Sequence, residues 1–365
     1  MDSIISVEAG KHFARREHFI DLVKGILILC VFFGHALGGW NYLEWDYMVP
    51  PDSLNFNLWM VMRTIINSTV PVFIFFAGFL TTGNKYGFGT KIPMGRCMRF
   101  LTRFVVWSVI YSLLEIFVYH NDITVKSVIL GMNGIQLYYL LVMLQLTVLT
   151  PLFFRAKNKK LVFVICFVIN IANNLIHVVY YFIKKSEMNN DMILCSCFIC
   201  FYMLGVYLRN VNPDLFSKVK PRLTGPVYIV SLMFYMTSSY SLLLFTRSPL
   251  CATSFVTVAS IGYSLGSIIL VMKIWWRVRE VDFTKNPVTR FLCWIGTNSL
   301  DFFLVHWVFE DYIKVWFINH VPAKYMHLSN IPIIGLTILL SSLYTLAVIQ
   351  VRKMIKSAKT KSAVA

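Results

Sequence analysis

The stretch FIDLVKGILILCVFFGHALGGW, residues 19–40, is long and apolar enough to cross a bilayer, yet it carries Asp21, Lys24 and His35. A crossing helix needs about 20 mostly apolar residues. Ionisable groups inside such a helix are costly and mark functional positions more often than surface charges do. Lys24 and His35 are eleven residues apart, about 16 Å along a helix axis, and eleven steps of roughly 100° return nearly to the same face. Both can therefore line one cavity. An imidazole can accept a proton near neutral pH, which suits a general base; a hydrogen bond to a neighbouring helix is the plainer reading. Asp21, at the boundary, reads as a partner for Arg16 or for a basic group of the next loop.

The rest of the chain has the same character. Of its 365 residues 57% are hydrophobic and 14% charged, and the mean hydropathy is +0.66, far from a soluble composition. The fold class expected is an all-α polytopic membrane protein of about ten spans: 18–39, 58–82, 100–120, 136–154, 161–183, 192–208, 223–245, 251–276, 291–313 and 330–351. With both termini in the cytoplasm, 27 of the 34 Lys and Arg fall on the inner side, as the positive-inside rule requires. The net charge of +17 thus reads as topology, not nucleic-acid binding. We expect one domain over residues 1–365, with 1–17 and 352–365 as cytoplasmic tails, and a first span that is an uncleaved anchor, since no small-residue cleavage site follows it. The eight cysteines imply no disulfide framework; Cys195, Cys197 and Cys200 have the spacing of a metal or redox site, but buried free cysteine is usually a small hydrophobe. No metal is expected. No internal repeat is evident, which disfavours transporters built from two related halves.

Two further groups of polar residues stand out. WIGTNSLDFFLVHWVFED, from Trp294, holds Asn298, Ser299, Asp301 and His306 in the ninth span, which enters from the same side as the first. His306 should therefore lie at a depth comparable with His35, in a shared polar cavity, unless these residues serve only interhelical hydrogen bonds. Between the second and third spans, Arg96, Arg99 and Arg103 are spaced for one helical face. Guanidinium forks suit clustered phosphates, although topology and lipid headgroups also account for basic residues.

Together these pieces resemble the integral-membrane acyltransferase-3 family, which moves acyl groups, mostly acetyl, onto hydroxyls of cell-surface glycans. RREHFIDLVKGILILCVFFGH carries the opening pattern in Arg16, Asp21, Lys24, Gly25 and His35; VPVFIFFAGFL, RCMR as an R-x-x-R motif, QLYYLLVMLQLTVLTP and IGTNSLDFFLVH follow in the family's order. Ala77 stands where the family usually has serine and Gln136 where histidine is common; the latter points to a different acceptor. The wording is closest to the branch related to fucose and exopolysaccharide O-acetylases.

The resemblance implies an O-acetyltransferase of the inner (cytoplasmic) membrane that takes acetyl-CoA as its acyl-donor substrate, with no permanently bound cofactor, and acts on a glycan or sugar acceptor among membrane lipids. His35 would be catalytic, removing the proton of the attacking hydroxyl or accepting the acyl group itself. His306, Ser299, Asn298 and Asp21 would give support, as orienting or oxyanion-stabilising groups or, for Asp21, at the basic entrance. Lys24, Arg96 and Arg99 would hold the donor's phosphates at the inner mouth. The competing class is a secondary transporter or exporter of glycan units or small metabolites, since intramembrane His and Asp also serve proton relays. Trp40, Tyr42, Trp45, Tyr47 and Trp59, with Glu44, Asp46 and Asp52, fit either sugar contact or ordinary interface anchoring.

Overall fold

The computed structural model describes residues 18–37, 54–81, 92–118, 120, 122–131, 134–184, 193–212, 215, 218–246, 254, 256–278, 281–322 and 328–362. Arg16 and the aromatic and acidic residues of 40–52 lie outside these, as does the side chain of Trp59. In chain order the α-helices are α1 (His18–Leu37), α2 (Leu54–Ile66), α3 (Thr69–Phe79), α4 (Met94–Phe117), α5 (Val125–Ile129), α6 (Tyr138–Arg155), α7 (Lys159–Lys184), α8 (Ile199–Asn210), α9 (Pro221–Thr246), α10 (Val258–Val278), α11 (Pro287–Thr297), α12 (Ser299–His320) and α13 (Asn330–Ser362). No strand occurs among the described residues.

The distribution of polarity on these helices is that of a protein whose solvent is lipid. On α7 the outward positions are Val164, Ile165, Val168, Ile169, Leu175, Ile176 and Val179, whereas Asn170, Asn174 and His177 are buried. A helix in water shows the reverse arrangement. α13 repeats the pattern, with Leu336, Leu339 and Leu343 outward and Thr337, Ser341 and Thr345 fully buried. Eight helical stretches among the described residues are long and apolar enough to cross a membrane. The protein is an all-α, multi-pass membrane protein.

Three of the ten expected spans take another form. The sixth, expected at 192–208, is a single 3-10 turn at Cys195–Cys197 followed by α8, which has 12 residues and rises only about 18 Å. Side chains of neighbouring helices satisfy the irregular backbone: Gln145 accepts from the Cys195 N–H (3.1 Å) and donates to the Ile193 carbonyl (2.8 Å), and Asn170 accepts from the Cys200 N–H (3.3 Å). Non-helical backbone at membrane depth is tolerated only where protein supplies such partners. Cys197 Sγ accepts from Asn173 (3.1 Å).

The ninth expected span, 291–313, is broken at Asn298 into α11 and α12. The Asn298 side chain donates back to the Trp294 carbonyl at 2.9 Å, the local competition with the helix ladder that makes asparagine a terminator. α12 has 22 residues but carries Asp301, Glu310, Asp311 and Lys314, so it is not among the eight. The second span is likewise two helices, α2 and α3, separated by Asn67 and Ser68. At the far end, residues 352–362 continue α13 as helix.

The chain forms two compact units, one of Met1–Trp40 with Ile274–Ala365 and one of Asn41–Lys273. In the first, α1 packs on α11, α12 and α13, and α12 packs on α13. The α1–α11 crossing is made by two glycines. A Cβ on Gly25 would stand 2.0 Å from the Leu292 carbonyl oxygen, and one on Gly296 would stand 1.7 Å from that of Asp21. Glycine at both positions lets the two backbones touch. α11 is set up for this by its start: Asn286 caps the Val288 and Thr289 N–H groups at 2.8 and 3.4 Å, with Pro287 in the first turn. In the second unit, Gly78 of α3 and Gly205 of α8 make an equally close crossing, against the Tyr202 and Phe75 carbonyl oxygens.

Candidate active site

α1 and α12 of the first unit carry most of the ionisable groups that sequence reading singled out: Asp21, Lys24, His35, Asp301 and His306. His35, in the last turn of α1, is partly buried. His306, in the middle of α12, is fully buried. Their ring centroids are 5.4 Å apart at 38°. His306 is walled by aromatic rings, with Phe32 stacked on it at 4.9 Å and 16° and Phe303 at 5.7 Å. Trp307 meets His35 edge-on at 4.9 Å. The two histidines thus share one aromatic-lined place, as their expected depths imply.

The hydrogen bonding of His306 fixes its tautomer. Nδ1 lies 2.8 Å from the Phe303 carbonyl oxygen, which only accepts, so Nδ1 carries the proton and Nε2 presents a lone pair. That Nε2 is buried and has no hydrogen-bond partner among the described residues. A buried acceptor left open in this way costs about 1–3 kcal/mol. It is available to an N–H or O–H brought to it, from His35 or from a bound hydroxyl compound.

Sequence reading missed three charged residues here. Lys314 donates from Nζ to the His35 carbonyl oxygen and pairs with Glu310 at 3.5 Å. The two side chains are 3% and 1% exposed. Both were legible as an i, i+4 pair following His306 at the same spacing, but the ninth expected span, 291–313, stops one residue short of Lys314. Arg352 was assigned to the tail; its two Nη atoms instead fork onto the Asp301 carboxylate, each at 2.9 Å. Thr337, Ser341 and Thr345 are fully buried on the inward face of α13, and their hydroxyls make no hydrogen bond among the described residues. Ser342, one position away, shows the ordinary alternative, bonding back to the Ile338 carbonyl at 2.7 Å.

Other expected members of the site stand apart from the imidazoles. Asn298 and Ser299 are eight and seven residues before His306 in sequence, about 11–12 Å along the helix axis, and Asn298 donates its amide to Trp294. Asp301 is bound to Arg352. Asp21 pairs with Lys24 at 3.7 Å, on the next turn of its own helix; contacts with Arg16 or with the loop 82–91 fall outside the described residues. The Lys24 charge is accordingly compensated within α1.

Arg96 and Arg99 belong to the second unit, on the first two turns of α4. Arg96 donates from Nη1 to Thr81 Oγ1 at 2.9 Å and lies over the Phe100 ring. Thr81 Oγ1 is 3.3 Å from the Tyr202 hydroxyl, itself 3.0 Å from Thr150 Oγ1, and Asn210 donates to the Thr81 carbonyl at 3.0 Å. Arg96 is therefore held in a polar network. Arg99 is exposed and bonds to the Gly95 carbonyl at 3.2 Å, leaving most of its guanidinium donors for other acceptors.

The fold and site together define a multi-pass helical membrane protein with an aromatic-walled histidine pair. The chain belongs to the acyltransferase-3 family: the family's acyltransferase domain matches residues 17–350. It is a membrane acyltransferase. Neither a curated protein nor a solved structure matches the chain.

Proposed function

We propose that the protein is an O-acetyltransferase of the inner (cytoplasmic) membrane, moving an acetyl group from acetyl-CoA to a hydroxyl of a cell-surface or lipid-linked glycan. The observation that carries this reading is the His35–His306 pair, 5.4 Å apart, in a chain of acyltransferase-3 family membership. His35 is the partly exposed member and the one an acceptor can reach. It takes the proton of the acceptor hydroxyl as the oxygen attacks the thioester carbonyl, and the imidazolium returns that proton to the departing coenzyme A thiolate. The ester forms, the thioester breaks, and no net proton is released. General-base assistance of this kind contributes roughly 10²- to 10⁴-fold. The open Nε2 of His306 accepts an N–H of His35 or the acceptor's hydroxyl, holding one or the other in place.

Arg96 and Arg99 serve the donor's phosphates, with Lys24 at the other end of α1 from His35. Arg99→Glu is the clean test of this, because Arg96 also braces Thr81. The variant should raise the donor KM about tenfold or more with a smaller change in kcat; an unchanged KM would tell against the phosphate role. For the function itself, membranes containing the protein are given radiolabelled acetyl-CoA and the glycan fraction is counted. Label above that of membranes without the protein is expected. Glycan moved across the membrane without label would instead assign the chain to transport.

A further inference from the structure

The hydrogen bonds behind Arg96 all point one way. A guanidinium only donates, so Thr81 Oγ1 accepts from Arg96 Nη1 at 2.9 Å. At the far end, Thr150 gives its hydroxyl proton to the Leu146 carbonyl at 2.7 Å. The Tyr202 hydroxyl, 3.0 Å from Thr150 Oγ1, therefore donates to Thr150. Its oxygen is left to accept from Thr81, 3.3 Å away, whose proton is shared with the Ala77 carbonyl at 2.9 Å. Hydrogen bonds aligned in this way polarise one another, and a charged donor at the head strengthens the run. Thr81, Thr150 and Tyr202 are all buried, so bulk solvent does not compete for their hydroxyls.

The tyrosine is anchored at its main chain as well. The Tyr202 carbonyl oxygen is the atom that Gly78 approaches at the α3–α8 crossing, where a Cβ would stand 2.1 Å from it. Thr81 lies just beyond the end of α3, and Asn210, about two turns after Tyr202 on α8, donates to the Thr81 carbonyl at 3.0 Å. Arg96 commits one of its five N–H groups to this run and keeps four for other acceptors.

We propose that Tyr202 is a positioning residue for the acyl donor: through Thr81 it fixes the aim of the Arg96 guanidinium, and so sets the affinity for the donor's phosphates. This rests on the reading of Arg96 as a phosphate contact. A side chain already held in place loses less freedom on binding.

The test uses the full chain in membranes, with acetyl-CoA and with S-acetylpantetheine, which carries the same thioester but no phosphate. Tyr202→Phe keeps the ring and removes only the hydroxyl. It should insert normally, raise the acetyl-CoA KM about fivefold with kcat within about twofold of the parent, and leave the S-acetylpantetheine KM unchanged. In an Arg96→Gln background, which itself raises the acetyl-CoA KM, Tyr202→Phe should add nothing, because both changes act on one contact. A parental acetyl-CoA KM in Tyr202→Phe, or an equal rise for both donors, would overturn the proposal, and a raised KM in Arg96→Gln would then leave the phosphate reading intact. An unchanged KM in Arg96→Gln removes that reading, and the proposal with it. Should S-acetylpantetheine not be turned over, the double variant decides: additive effects overturn the proposal and non-additive effects support it. If Tyr202→Phe does not insert, Thr81→Val, which removes the oxygen Arg96 donates to, carries the same expectations.

Discussion

His35→Ala is expected to abolish acyl transfer, with a loss of about 10²- to 10⁴-fold, while the protein still inserts and purifies as the parent does. The separation of function from fold follows from where the ring sits. α1 is held against α11 by the glycine crossing near its start, and Phe19, Ile28 and Phe32 along it are buried, whereas His35 is in the last turn and only partly buried. Its side chain contributes ring contacts to His306 and Trp307, but the main-chain carbonyl that Lys314 holds is present in alanine too. The measurement is the rate of label transfer from acetyl-CoA, normalised to the amount of inserted protein. Undiminished transfer by this variant would remove His35 from the chemistry.

The second large effect is on folding. Gly25→Ala and Gly296→Ala each place a methyl carbon where a backbone oxygen already stands, at 2.0 and 1.7 Å. Backbone cannot rotate away as a side chain tip can, so α1 and α11 must separate. The cost should reach the upper end of the roughly 1–3 kcal/mol usual for overpacking, or exceed it. Gly335→Ala is the control, because nothing lies within 4 Å of that position and alanine is the better helix former by up to about 1 kcal/mol. Thermal aggregation of detergent-solubilised protein should therefore begin at lower temperature for the first two variants and at the same or higher temperature for the third. A Gly25→Ala protein as heat-resistant as its parent would show that the crossing is looser than described.

The apolar runs made the helical class legible, and the expectation that His35 and His306 lie together agrees with their ring centroids 5.4 Å apart. Counting spans by hydropathy worked less well at the sixth and ninth positions. Hydropathy averages over a window and cannot register a side chain such as Asn298 or Gln145 taking over a main-chain partner. Glu310 and Lys314 were in plain view four residues apart, yet each taken singly counts against a span, and only the fold shows the two charges paired and buried. Arg352 shows the same limitation: only a partner 51 positions away in sequence, on another helix, distinguishes it from the lysines that follow.

That same fork of Arg352 on Asp301 acts as a rotational key for α13. Thr345 and Ser341 lie seven and eleven positions before it, two and about three helical turns, so a clamp at one end of the rod dictates which way the hydroxyl row looks all along it. A single residue inserted between Thr345 and Arg352 would turn one set by about 100° relative to the other, forcing a choice between the carboxylate and the inward row. Length is thus less freely variable in this segment than its simple composition implies.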